Sequence, residues 1–241
     1  MTAVAPAVAF FDVDNTLLRG ASLFHLGRGA HKAGFISSMQ IARFAITAAR
    51  FTARGEKTRD LDRARREALR IIRGRRTSDL RDLAPLVYRR YIEATVWPET
   101  RALVTEHRSL GHEVWLVTTT PDFLAEEIAE RLGATGAVGT RLEEVDGRFT
   151  GEVDGAIMHG PEKAAAARTI AERAGAGLDD CFAYSDSIND VPLLSLCGNR
   201  VAVNPDSRLR RHATTQGWTQ MRLDPQGVRA ERRRLRREAR E

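Results

Sequence analysis

With 241 residues, 26.8 kDa and 42% apolar residues, the chain is long enough to bury one sizeable core, or a core with a smaller satellite. Its net charge of +6 would ordinarily point to anionic partners, but residues 229–241 hold seven arginines against three glutamates, a net +4, so the body is close to neutral and need not bind nucleic acid. Cys181 and Cys197 form no CxxC pair, which excludes a disulfide framework or zinc site, predicts no disulfide partner and fits a reducing compartment.

The start, MTAVAPAVAFFDVD, has no basic stretch before its apolar run, so no secretory signal is expected and a cytoplasmic location is the default. Residues 7–13 (AVAFFDV) predict a buried parallel strand. Asp12 and Asp14 follow at its end with only Val13 between them, so strand alternation sends both carboxylates to one side. Two carboxylates that close need a cation or a shared proton.

Residues 20–95 contain no convincing strand and several amphipathic patterns rich in Arg, Ala and Leu, which predicts a helical insertion. Its most apolar part, residues 35–51, is interrupted by Arg43 and Arg50 and falls short of the ~20 apolar residues of a membrane span. A second strand is expected over 113–118 (EVWLVT), ending in Thr118, and helices are expected after Pro98, Pro121 and Pro161, with glycines at their ends. Residues 141–153 alternate around Asp146-Gly147, a hairpin signal. Lys163 opens a helix behind His159-Gly160-Pro161. Further strands are expected at 181–185 (CFAYS) and 200–203 (RVAV), and Asp186 and Asp190 follow the first of them in SDSINDVPLL.

Strands alternating with helices imply an α/β fold, a parallel sheet covered on both faces that binds ligands at the carboxyl ends of its strands. Asp12, Asp14, Asp186 and Asp190 all fall at such ends, and converging carboxylates suit a hard cation such as Mg²⁺. Thr118 and Lys163 are suited to hold an anion. Singly, each has a plain structural account: paired acids cap turns, Lys163 is a solvated helix residue, Thr118 an N-cap. His25, His31, His107, His112, His159 and His212 show no ligand spacing and read as surface or satisfied core residues.

Taken in order, FDVDNTL, the strand ending in Thr118, Lys163 and SDSINDVPLL resemble the four motifs of the haloacid dehalogenase superfamily. The helical insertion and the DGRFTG hairpin resemble subfamily IB, the group of the phosphoserine phosphatases. The resemblance implies a Rossmann-like three-layer core (residues 1–19 and 96–225), an all-helical C1 cap (20–95) and a basic tail (226–241). It implies a Mg²⁺-dependent phosphatase that hydrolyses a small phosphomonoester through an aspartyl-phosphate on Asp12, with Asp14 as general acid and then base. Mg²⁺ would be held by Asp12, the carbonyl of Asp14, and Asp186. The phosphoryl oxygens would be held by Thr118, the amide of Thr119 and Lys163, with Asn189 and Asp190 in support. Asp14 stands where the related P-type ATPases carry Thr, which favours a hydrolase over a long-lived phosphoenzyme.

Two positions depart from the pattern. Ala21 stands where phosphoserine phosphatases carry the glutamate that receives the substrate ammonium, which leaves open a less polar ester such as a lysophospholipid at a membrane surface. Ser185 stands where the family usually has glycine. The alternative from another class is a nucleic-acid or membrane-binding protein working through its basic tail, with the phosphatase site secondary. That tail is expected to be disordered or a solvated helix, and is a candidate for weak contact with an anionic surface. Oligomeric state is not legible.

Overall fold

The computed structural model describes residues 6–39 and 66–238. Its strands are Val8–Phe11 (β1), Glu113–Pro121 (β2), Gly136–Thr140 (β3), Leu142–Val145 (β4), Arg148–Val153 (β5), Phe182–Ser185 (β6), Asn199–Val203 (β7) and Thr219–Met221 (β8). Six of them make one parallel sheet in the order β3-β2-β1-β6-β7-β8, and β4 with β5 makes an antiparallel hairpin.

β1 is apolar throughout because it is buried on both faces, and alternation divides it between two cores. Ala9 and Phe11 pack with Leu26, Val104, Leu124, Ile128 and Val228, which belong to helices Ser22–Lys32, Pro98–Ser109, Asp122–Leu132 and Pro225–Glu238. Val8 and Phe10 pack on the other face with Ile170, Leu193, Leu194 and Leu209, from helices Pro161–Ala174, Val191–Leu196 and Ser207–Gln216. The result is the three-layer α/β arrangement the sequence predicts, and each fully buried Leu, Ile or Phe contributes about 1.5–3 kcal/mol to it.

Within residues 20–95 the described elements are helices, Ser22–Lys32, residues 66–72, Thr77–Arg81, Ala84–Val87, a π-helical turn at Tyr88–Ile92 and a 3₁₀ turn at Glu93–Thr95, joined by turns. The expected apolar helix over 35–51, with Arg43 and Arg50, lies outside the described residues beyond Met39. The hairpin forms around Asp146-Gly147, both at positive φ, and clasps the insertion. Gly74 N–H donates to Phe149 O at 2.8 Å, Phe149 N–H to Arg75 O at 3.0 Å, and Thr77 N–H to Gly147 O at 2.9 Å.

The structure corrects three expectations. β2 does not end at Thr118 but runs on through Thr119 and Thr120 to Pro121, where the helix expected after that proline begins at Asp122. Consecutive β-branched threonines suit an extended chain, and although the register with β3 shifts across them, pairing resumes at Pro121 with Thr140. Residues 188–198 (INDVPLLSLCG), whose pattern reads as one helix, instead open with a 3₁₀ turn, Ile188–Asp190, before Val191–Leu196. Over its described residues the tail is helical and its arginines largely exposed, but it is not fully solvated, because helix Pro225–Glu238 buries Val228 against the core and is tethered at its start by Asp224 N–H donating to Glu99 Oε1 at 3.0 Å. Among the described residues no helix is long and apolar enough to cross a membrane. Cys181 and Cys197 are both buried and free.

Candidate active site

Asp12 is the first residue beyond β1, and its N–H continues the ladder by donating to Tyr184 O at 3.0 Å. The chain then turns tightly: Leu17 and Leu18 N–H both donate to Val13 O, and Asn15 takes a left-handed conformation (φ 58°) that Asn tolerates better than most residues. This turn folds Thr16 back so that its hydroxyl donates to Asp12 Oδ2 at 3.2 Å.

Lys163 reaches the same carboxyl from the other side. It sits in the first turn of helix Pro161–Ala174, and its Nζ donates to Asp12 Oδ1 at 2.6 Å and to Asp190 Oδ2 at 2.8 Å. Asp12, Lys163 and Asp190 are 6%, 2% and 2% exposed, so this is a buried charge cluster and not a surface ion pair. Gly160, the N-cap of that helix, is at φ +54°, and an added Cβ would stand in ordinary contact, 3.4 Å, with the Asn189 carbonyl. A side chain there would be strained by the left-handed backbone and not by lack of space.

The Asp190 loop is held by hydroxyls. Ser185 Oγ donates to Asp190 Oδ2 at 2.7 Å and accepts from Ser187 N–H at 3.2 Å, and Ser187 Oγ accepts from Asn189 N–H at 3.2 Å. Asp186 follows β6 directly, and its carbonyl accepts from Asp206 N–H at 2.8 Å.

Asp14 is turned towards the insertion: its Oδ1 accepts from Ser22 N–H, at the start of helix Ser22–Lys32, at 2.8 Å. Thr118 is fully buried, 3.0 Å from Thr120 Oγ1, and accepts from Thr120 N–H at 3.2 Å. Thr119, between them, is half-buried. The register that sets Phe11 opposite Leu116 and Tyr184 brings the ends of β1, β2 and β6 to one edge of the sheet.

Burial pushes the Asp12 carboxyl up to about 7; Lys163 pulls it down, but Asp190 and Asp14 add to the rise. Burial also raises Asp14, partly opposed by the hydrogen bonds it takes from the Ser22 N–H and hydroxyl. Lys163 loses hydration on burial, yet Asp12 and Asp190 hold its ammonium form above the ordinary lysine range. The cluster thus carries more negative charge than one lysine offsets. That excess, with Asp186 alongside, is what a divalent cation would neutralise. Among the described residues no group of three or more His, Cys, Asp or Glu side chains is arranged to hold a metal. The donor set that fits is two carboxylates with main-chain carbonyl and water, which suits Mg²⁺ because it keeps several of its waters.

Residues 9–195 match the family model of the haloacid dehalogenase-like hydrolases. The chain belongs to that family. This haloacid dehalogenase-like hydrolase is 47% identical over 213 residues to phosphoserine phosphatase SerB1 of Mycobacterium tuberculosis, an alignment that covers 88% of this chain and 69% of the relative. A crystal structure of a protein of unknown function from Bordetella pertussis superposes with a TM-score of 0.77 at 26% identity, covering 90% of this chain and 99% of the other. A substrate-bound phosphoserine phosphatase shares the fold, with a TM-score of 0.65 at 19% identity over 90% of this chain and 93% of that one.

Of the residues singled out in the sequence, the family member bonds Asp12 and Asp190 each to Lys163, and places Asp14, Thr118, Thr119, Asp186 and Asn189 on the loops and strand ends around them. Four residues that pattern reading missed hold these groups: Thr16, Ser22, Thr120 and Ser185. Only Ser185 left a signal, as a departure from glycine, and the structure gives the departure a role in bonding Asp190.

Proposed function

We propose that the chain is a Mg²⁺-dependent phosphatase acting on a small phosphomonoester through an aspartyl-phosphate on Asp12. The observation that carries this reading is the buried Asp12–Lys163–Asp190 cluster at the carboxyl end of the central strand. An Asp12 carboxylate oxygen attacks phosphorus as the ester P–O bond breaks, and Asp14 gives its proton to the departing oxygen. The raised Asp14 carboxyl suits the donor role, since it keeps its proton to higher pH than an exposed aspartate. Asp14, now a carboxylate, takes a proton from the water that attacks phosphorus, the P–O bond to Asp12 breaks, and inorganic phosphate leaves.

Lys163, Thr118 and the amide of Thr119 would hold the phosphoryl oxygens, with Asn189 in support, and Asp190 keeps Lys163 in place. Asp12, the carbonyl of Asp14, and Asp186 would hold Mg²⁺, which when bound keeps Asp12 ionised and offsets phosphoryl charge. The helical insertion over 20–95 would act as the cap that limits access to this edge of the sheet.

A substrate whose second group is not an ammonium is favoured by the segment entering the cap. Ala21 is exposed, and no Asp or Glu occurs between Asp14 and Glu56, while Arg19, Arg28 and Lys32 do. A panel of phosphoserine, p-nitrophenyl phosphate, glycerol phosphates and lysophospholipids with Mg²⁺ tests both parts. Asp12→Asn should abolish phosphate release, and phosphoserine should be turned over less efficiently than the esters that carry no ammonium. Release that persists in Asp12→Asn contradicts the mechanism, and a preference for phosphoserine contradicts the substrate class.

A further inference from the structure

Three buried hydroxyls form a continuous chain between the helical insertion and the phosphoryl-holding strand. Ser22 Oγ lies 2.6 Å from Thr120 Oγ1, which lies 3.0 Å from Thr118 Oγ1. Ser22, Thr120 and Thr118 are 0%, 2% and 0% exposed, so water does not satisfy these groups and they depend on one another. Ser22 opens the first helix of the insertion, whereas Thr120 is the next residue after Thr118 on the same face of β2.

A hydroxyl donates one hydrogen bond and accepts two. Thr118 Oγ1 accepts from Thr120 N–H, and if the Thr120 hydroxyl also donates to it, its lone pairs are filled and its own proton is left for an oxygen in the site. Thr120 must then accept from Ser22. A phosphoryl oxygen accepting from Thr118 therefore orders the chain as Ser22 to Thr120 to Thr118 to phosphoryl. Ser22 meanwhile holds Asp14 Oδ1 with its main-chain N–H at 2.8 Å.

We propose that Ser22 and Thr120 are positioning residues of the phosphoryl transfer. Ser22 fixes Asp14 through its N–H and Thr118 through the Thr120 hydroxyl, so one residue at the entrance to the insertion sets the separation between the proton donor and the hydroxyl that holds the phosphoryl group. This rests on the phosphatase reading given above.

The test uses the full chain with Mg²⁺, p-nitrophenyl phosphate as substrate and vanadate as a phosphoryl mimic whose binding is followed by calorimetry. Thr120→Val keeps the shape and removes the hydroxyl; Thr120→Ser keeps the hydroxyl; Ser22→Ala keeps the N–H to Asp14 but removes the hydroxyl that also bonds that carboxyl. Thr120→Val and Ser22→Ala should each lower kcat about tenfold and weaken vanadate binding in parallel, since small misplacements at a transfer centre cost rate steeply. Thr120→Ser should stay within about twofold of wild type, and the Ser22→Ala, Thr120→Val double variant should be no more than about twofold slower than Ser22→Ala alone, because Ser22→Ala has already cut the chain that Thr120→Val cuts. Wild-type kcat and vanadate affinity in Thr120→Val, or equal impairment of Thr120→Ser and Thr120→Val, overturns the hydroxyl chain alone. A wild-type protein that releases no phosphate overturns the phosphatase reading itself.

Discussion

At the scale of single residues, Asp12 has a protonation state that folding itself changes. Its folded value of about 7 lies above the ordinary 3.8, so between those values the folded chain keeps a proton that the unfolded chain has released. The contribution of Asp12 to stability is therefore greatest below about pH 4 and declines as pH rises towards 7, by at most about 1.4 kcal/mol per pH unit. His25 and His107, lowered by burial to about 4, act in the opposite sense, so the Asp12 effect is read as a difference. With divalent metal chelated, the melting temperature of Asp12→Asn should gain on wild type as pH is raised from 4 to 7, and added Mg²⁺ should close the gap. A difference that does not vary with pH contradicts the assignment. Lys163→Met removes the cation bonded to both Asp12 and Asp190, and should cost at least about a hundredfold in kcat, as losses of charge stabilisation at transfer sites do.

Site residues were legible unequally for a physical reason. Asp12, Asp14, Asp186 and Asp190 stand out because carboxylates beside apolar strands need an explanation. Ser22, Thr16 and Thr120 are small hydroxyl residues common at helix starts and in strands, and nothing in their local pattern says that Ser22 will meet Thr120 across 98 positions. Lys163 needed the other motifs before it could be read as anything but a solvated helix residue.

At the scale of elements, the strands that were legible are the buried ones. β1, β2, β6 and β7 read as apolar runs, whereas β3 is diluted by Gly136 and Gly139, and β8 is three residues at the sheet edge with Thr219 and Gln220 exposed. Both exist because a neighbouring strand offers its hydrogen bonds, a tertiary cause that local pattern does not carry. Helix Ser22–Lys32 is fixed in the same way, by contact with Ala84–Val87. A Cβ added at Gly29 would lie 2.4 Å from Val87 Cγ2. Gly29→Ala should cost about 1–3 kcal/mol as the two helices are forced apart, which thermal or urea unfolding would measure. An unchanged midpoint would mean that the insertion yields freely at this contact.

At the scale of the molecule, the sheet gathers chemistry at one edge while the basic C-terminal helix packs elsewhere, between the core and solvent. Its charge had suggested a separate binding element, but Val228 makes it part of the core cluster beside Val96, Trp97 and Val104. Val228→Asp should therefore lower stability by about 1–3 kcal/mol while leaving the KM for a small phosphate ester unchanged. Loss of substrate affinity without loss of stability would return the helix to a binding role.

The central claim, that Asp12 carries the phosphoryl group, is tested most directly by trapping. Wild type and Asp14→Asn would be mixed with p-nitrophenyl phosphate and Mg²⁺, quenched in acid and reduced with borohydride, which converts an aspartyl-phosphate to homoserine, and then mapped by peptide mass spectrometry. Homoserine at position 12, more abundant in Asp14→Asn because its phosphoenzyme lacks the base that activates water, is the predicted result. Turnover with no trapped product at position 12, or with the product at another residue, contradicts the account.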